Sequence, residues 1–235
     1  MRLSLLSSLA LIFGCAARNP GARPHDMGAA EHEQTAVEHD AEAAAEAAKY
    51  DPAATETHRR CGGGKGAHPC WTSVTNPTDG YLAEAEAHRK MAEEHRAASA
   101  ALRTAEESAC VGIEPEDRDE SPFEAHAADI ASVEPLTVHR GGKQPDERLV
   151  GAVVTVRAVE GLTPEWLQRV VDCHLARNAA VGHDMPEMPS CPLVPKGASA
   201  AVASTGSGFA VTIRSDDETA AADILARARR LASSR

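Results

Sequence analysis

The chain has 235 residues, a formal net charge of −11, 25% charged residues and only 3% aromatic ones. Seven aromatic side chains against 46 alanines exclude a large conventional core and leave room for a small aliphatic one. The acid excess excludes a general nucleic-acid binder, which needs a basic face.

The charge is unevenly spread. Residues 151–235 hold nine acids and nine Lys/Arg, so the first 150 residues hold 26 acids, 15 bases and the whole −11, together with nine of the eleven His. Two compositional regimes therefore meet near residue 150.

Residues 1–14 read as a lipoprotein signal peptide. Arg2 is a short positive region, and Leu3 to Phe13 is an apolar run of signal-peptide length, too short to span a bilayer, which needs roughly 20 residues. Ile12-Phe13-Gly14-Cys15 resembles a bacterial lipobox, with a small residue before the acceptor thiol of Cys15. Phe13 departs from the usual pattern at its place. Acylation at Cys15 supplies more chains than stable anchoring needs. Ala16, rather than Asp, after the Cys implies by resemblance sorting to the outer membrane, with the protein facing the periplasm.

Residues 15–28 read as a flexible tether, rich in Pro, Gly and Arg. Residues 29–110 read as an Ala/Glu/His-rich helical region with a Cys/Gly loop. Ala29 to Lys49 has high helix propensity but no Leu, Ile or Phe, so it predicts a helix with little to bury. Pro52 ends it. Residues 51–80 read as a loop with Cys61-Gly62-Gly63-Gly64 and Cys70-Trp71. Asp79 is the expected N-cap of a long helix over Tyr81–Cys110. Ala-faced helices pack closely, so the two are expected to be able to pair as a helical hairpin.

Residues 111–148 read as a Pro-rich acidic linker, because Pro115, Pro122 and Pro135 forbid a long helix. Residues 149–235 read as a small α+β domain. Leu149–Val159 alternates as a strand. Thr163-Pro164-Glu165 is a helix start for Pro164–Ala180. Ala198–Ser204 and Phe209–Arg214 flank a hairpin signal. A last helix, opened by Asp216 and Asp217, carries Ala221, Ile224, Leu225, Ala228 and Leu231 on one face. The fold class is α+β: an Ala-rich helical region followed by a β-α-β-β-α sandwich.

Several runs carry a resemblance. Tyr50-Asp51-Pro52-Ala53-Ala54, Cys70 to Thr78, His88 to Arg103, Asp117 to Phe123 and Ile130 to Leu136 look like a group of uncharacterised proteobacterial lipoproteins, over roughly residues 1–140. The resemblance implies export and anchoring and transfers no catalytic residue.

An exported protein meets an oxidising compartment, which makes Cys61, Cys70, Cys110, Cys173 and Cys191 disulfide candidates. Cys61–Cys70 would close a short loop. Cys173–Cys191 would tie a helix to the loop after it, worth roughly 3 kcal/mol by loop entropy. Cys70–Cys110 is the rival pairing, and an odd count leaves one thiol over.

His25, His32 and His39 recur every seven residues, and His88 and His95 repeat the interval on the long helix, so each set shares a face. Glu84, His88, Met91 and His95 form one stripe whose donors suit copper, nickel or zinc. The competing reading is a polar helix face in which His sits beside Glu. A second cluster, His183, Met185, Met188 and Cys191, resembles a soft Cu(I) ligand set, unless Cys191 is spent in a disulfide. Enzyme motifs are mostly missing: the Gly62–Gly66 run lacks the Ser/Thr of a P-loop, and Gly206-Ser207-Gly208 lacks the spacing of a nucleophile elbow.

The sequence therefore points to a non-enzymatic, lipid-anchored envelope protein, a binding or structural module with no cofactor. It is expected to meet the membrane through the lipid and not to bind nucleic acid, and it leaves room for an unidentified protein partner in the envelope. The alternative is a periplasmic metal-binding or metal-sensing lipoprotein.

Overall fold

The computed structural model describes residues 27–62, 69–140 and 146–233. The signal-peptide segment, Cys15 and His25 lie outside the described residues. Among the described residues, no helix is long and apolar enough to cross a membrane.

The fold is mixed α+β. Two long helices, α1 (Ala29–Ala47) and α2 (Asp79–Ala109), run antiparallel and pack along their length. At about 1.5 Å per residue, α2 is about 46 Å long. The buried residues of α1 are Ala29, Ala36 and Ala43, and those of α2 are Ala85, Ala92, Ser99 and Leu102. Ala29, Ala36 and Ala43 step by seven, as do Ala85, Ala92 and Ser99. Small side chains let the helix axes approach, so the seam is an antiparallel coiled coil with Ala or Ser at the a positions. The d positions fall on His32, His39 and Glu46 in α1 and on His88, His95 and Leu102 in α2.

The connection between the helices is not a plain loop. It contains a two-stranded ribbon, β1 (Glu56–Cys61) antiparallel to β2 (Cys70–Thr75), exposed on both faces. Cross-strand pairing puts Cys61 opposite Cys70 and Arg60 opposite Trp71, and Cys61–Cys70 are disulfide-bonded. Asp51 accepts from Asn76 Nδ2 at 2.8 Å and from Thr78 Oγ1 at 3.1 Å, closing the base of the ribbon.

The second sheet has strand order β3-β4-β6-β5, from β3 (Ile130–Arg140), β4 (Asp146–Arg157), β5 (Ser199–Thr205) and β6 (Gly208–Arg214). Ala152, Val154 and Val156 of β4 alternate inward with Phe209, Val211 and Ile213 of β6. They meet Leu167 and Val171 of helix α5 (Pro164–Ala180) and Ile224, Leu225, Ala228 and Leu231 of helix α6 (Glu218–Ser233) in one core cluster. Helices cover one sheet face, the two-layer arrangement that alternating strands require. Thr163 caps α5, its hydroxyl accepting from the Trp166 N–H at 3.2 Å.

The linker expected over residues 111–148 needs correction. Its second half supplies β3, an added edge strand. Pro135 interrupts the sequence signal, yet an edge strand tolerates proline because one side of its backbone has no strand partner; Pro135 faces Ala152. Its first half, with short helices α3 (Pro115–Asp119) and α4 (Pro122–Ala125), docks on α5. Arg169 donates to the Val111 carbonyl at 2.6 Å, Arg177 to the Arg118 carbonyl at 2.6 Å, and His174 Nε2 to the Asp117 carbonyl at 2.9 Å. Backbone carbonyls held by Arg side chains from a distant helix leave no periodic trace in the sequence.

The disulfide pairing expected for Cys173 also needs correction. Cys173 is bonded to Cys110, with Cα atoms 4.6 Å apart, and Cys191 is a buried free thiol. The two cysteines serve different faces of α5: Cys173 sits with Cys110, Ile113 and Val170, whereas Cys191 belongs to the sheet core. Cys70, already bonded to Cys61, does not reach Cys110.

Candidate metal centre

The antiparallel register brings the two His heptads face to face. His32 Nδ1 lies 2.8 Å from His95 Nδ1, and His39 Nδ1 lies 3.2 Å from His88 Nδ1. The His39 and His95 ring centroids are 5.6 Å apart, so the imidazoles form a continuous ladder. An ion pair between Asp40 and Arg96 crosses the seam on one flank.

Glu42, three residues after His39, completes a three-donor group. Its Oε2 is 2.9 Å from His39 Nδ1 and 2.8 Å from His88 Nδ1. His39, Glu42 and His88 form the one group of three or more His, Cys, Asp or Glu donors close enough to share an ion among the described residues. With His39 and His88 half-buried and Glu42 exposed, the open side faces solvent.

The three donor atoms make a near-equilateral triangle that hydrogen bonding alone does not satisfy. Each Nδ1 carries at most one proton and the carboxylate oxygen only accepts. If both rings donate to Glu42, two N–H groups confront each other at 3.2 Å. If one ring donates to the other, one lone pair faces the carboxylate. A cation takes all three contacts at once. Metal–nitrogen bonds of about 2.1 Å place ligand atoms about 3.0 Å apart at right angles and about 3.4 Å apart at tetrahedral angles. The observed edges of 2.8, 2.9 and 3.2 Å match the right-angled set.

Glu46 stands one heptad beyond His39 with its Oε2 buried and without a hydrogen-bond partner among the described residues. Its other oxygen accepts from Lys49 Nζ at 2.6 Å. That hydrogen bond holds the Glu46 carboxyl below its ordinary value of 4.5, with smaller contributions from Glu84 and His88.

The residues expected to bind metal divide clearly. His88 is in the triangle and His95 sits one heptad along the same ladder. Met91 falls at a g position, half-buried at the flank. Glu42 was not among the expected ligands. Its signal was available: Ala29-Ala36-Ala43 and Ala85-Ala92-Ser99 run in phase with the two His series, which puts His at d in both helices and an i+3 carboxylate at the seam.

Of the second expected cluster, Met185, Met188 and Cys191 stay together, buried in the sheet core. His183 Nδ1 is hydrogen-bonded to the Val194 carbonyl at 2.8 Å. Burial pushes the Cys191 thiol up from its ordinary 9.0. The Met side chains fill core volume, the commoner use of an adaptable thioether.

No family model matches the chain, and no curated protein or solved structure matches it.

Proposed function

We propose that this is a lipid-anchored cell-envelope protein, non-enzymatic, whose helical hairpin binds one divalent transition-metal ion through His39, Glu42 and His88. The observation that carries the metal assignment is the triangle of Nδ1, Nδ1 and Oε2 with edges of 2.8–3.2 Å contributed by two helices. Two imidazoles and one carboxylate select borderline cations over magnesium or calcium, which prefer all-oxygen shells. Right-angled donor spacing and the order of divalent affinities favour copper(II) and nickel(II) over tetrahedral zinc. The solvent-facing side leaves coordination positions to water, which suits reversible loading.

Export and anchoring rest on the lipobox-like run ending at Cys15 and on the lipoprotein resemblance of residues 1–140. Export also fits the two disulfides, which persist in an oxidising compartment.

Isothermal titration of the full chain with Cu(II), Ni(II) and Zn(II) tests the metal assignment. One equivalent that disappears in a His39→Ala/His88→Ala double variant is expected; no heat with any of the three ends it. Membrane fractionation tests the anchor: Cys15→Ala is expected to leave the membrane pellet, and its retention there contradicts acylation.

A second reading, a docking module for an envelope protein, is favoured by the exposed ribbon, where Trp71 is 55% and Val74 64% accessible. Aromatic and apolar side chains on a projecting ribbon are a common interface signature.

A further inference from the structure

Resting on the metal assignment above, we infer that the cation is a clamp: its binding closes α1 onto α2, and without it α1 detaches while α2 and the sheet stay in place.

The first ground is how little else holds α1. It buries no side chain larger than Ala, so the hydrophobic contribution of its seam is small. The larger seam residues of α1 are His32, His39 and Glu46; His32 meets His95, the exposed Asp40–Arg96 ion pair contributes at most about 1 kcal/mol, and the three contacts among His39, His88 and Glu42 cannot all be hydrogen bonds together. A short isolated helix is marginal in water, and α1 has 19 residues.

The second ground is the origin of the donors. His39 and Glu42 come from α1 and His88 from α2. An open hairpin offers only the i, i+3 pair on α1; the closed one offers three donors. A ligand shifts an equilibrium by its differential affinity for the two states, and here that difference is a whole imidazole.

The third ground is the unequal anchoring of the two helices. α2 is covalently tied to α5 through Cys110–Cys173. α1 meets the rest of the chain at its start, where Ala29 packs with Leu102, Ala179 and Ala180, and at the ribbon base. The helix free to move is therefore α1, and its departure uncovers Leu102, Ala179 and Ala180.

Amide hydrogen exchange of the full chain, with Ni(II) against chelator, tests this. At a hundredfold excess over Kd the closed population gains about 100-fold, so exchange across 29–47 is expected to slow by about that factor. Strands β4 and β6, far from the site, serve as internal control and are expected to be unchanged. His88→Ala, which leaves the α1 pair intact, is expected to lose the slowing while keeping β4 and β6 protected. Glu42→Gln, a second variant with little steric change, keeps one imidazole on each helix and is expected to keep the slowing but to need more Ni(II) to reach it. Nickel bound in calorimetry with no change in α1 exchange overturns the clamp and leaves the site standing; slowing that survives in His88→Ala also overturns it. No binding of any cation overturns the site and the clamp together.

Discussion

His39 of α1 and His88 of α2 face each other across the helical hairpin with their Nδ1 atoms 3.2 Å apart, and Glu42 Oε2 lies within 2.9 Å of both. The pairing links residues 49 positions apart and depends on antiparallel register. Replacing either His by Ala removes a donor outright, so affinity for Ni(II) is expected to fall by at least about 100-fold, the upper range seen when mere supporting residues of metal sites are lost. Met91→Leu, at the flank, is expected to change it less than about threefold. Calorimetric titration of the three variants reads both.

The seam tolerates only small side chains. Ala36 and Ala92 are fully buried between the helices. Ala36→Leu or Ala92→Leu overpacks a close helix contact and is expected to destabilise the hairpin by about 1–3 kcal/mol. Helical circular dichroism during urea unfolding measures it, and a stabilising result would mean that the helices are not in close contact there.

The entry to α1 is equally tight. A Cβ at Gly28 would lie 2.7 Å from the Gly182 nitrogen and 2.9 Å from the Val181 carbonyl carbon, both backbone atoms. Gly28→Ala is therefore expected to push α1 off the α5–β5 connection and raise amide exchange at the start of α1, with β4 and β6 unaffected.

Cys110–Cys173 closes a loop of 63 residues. By chain entropy its loss is expected to cost about 4 kcal/mol, against about 3 kcal/mol for Cys61–Cys70, whose separation is nine. The second loss is expected to stay local to the exposed ribbon. Non-reducing peptide mapping should recover these two links, with Cys191 alkylated only after unfolding.

His174 supplies a pH signature. It is fully buried, its Nε2–H donates to Asp117, and its Nδ1 has no hydrogen-bond partner among the described residues. Burial holds its pKa below the ordinary 6.5. The unfolded chain then binds a proton that the folded chain refuses, so stability is full above about pH 6.5 and declines as pH falls below it. The slope is at most about 1.4 kcal/mol per pH unit. His174→Gln is expected to flatten that slope in urea melts between pH 5 and 7.

Much of this fold is legible from periodicity. The five apolar residues of α6 named by their spacing are all buried, and Thr163-Pro164 starts α5 as capping chemistry demands. β3 was hidden because Pro135 punctuates it; only its place at the sheet edge makes that proline acceptable. The partner of Cys173 depends on which side of α5 meets α2, a tertiary relation absent from local spacing. The same holds at the candidate site: the heptads of His are visible in each helix, but Glu42 becomes a ligand candidate only once His88 stands opposite.

Pulsed electron paramagnetic resonance of the Cu(II)-loaded full chain counts the imidazoles coordinated to the ion. Two are expected, with loss of one in His39→Ala or His88→Ala. A spectrum without imidazole nitrogen coupling, or one unchanged in both variants, would contradict the metal assignment.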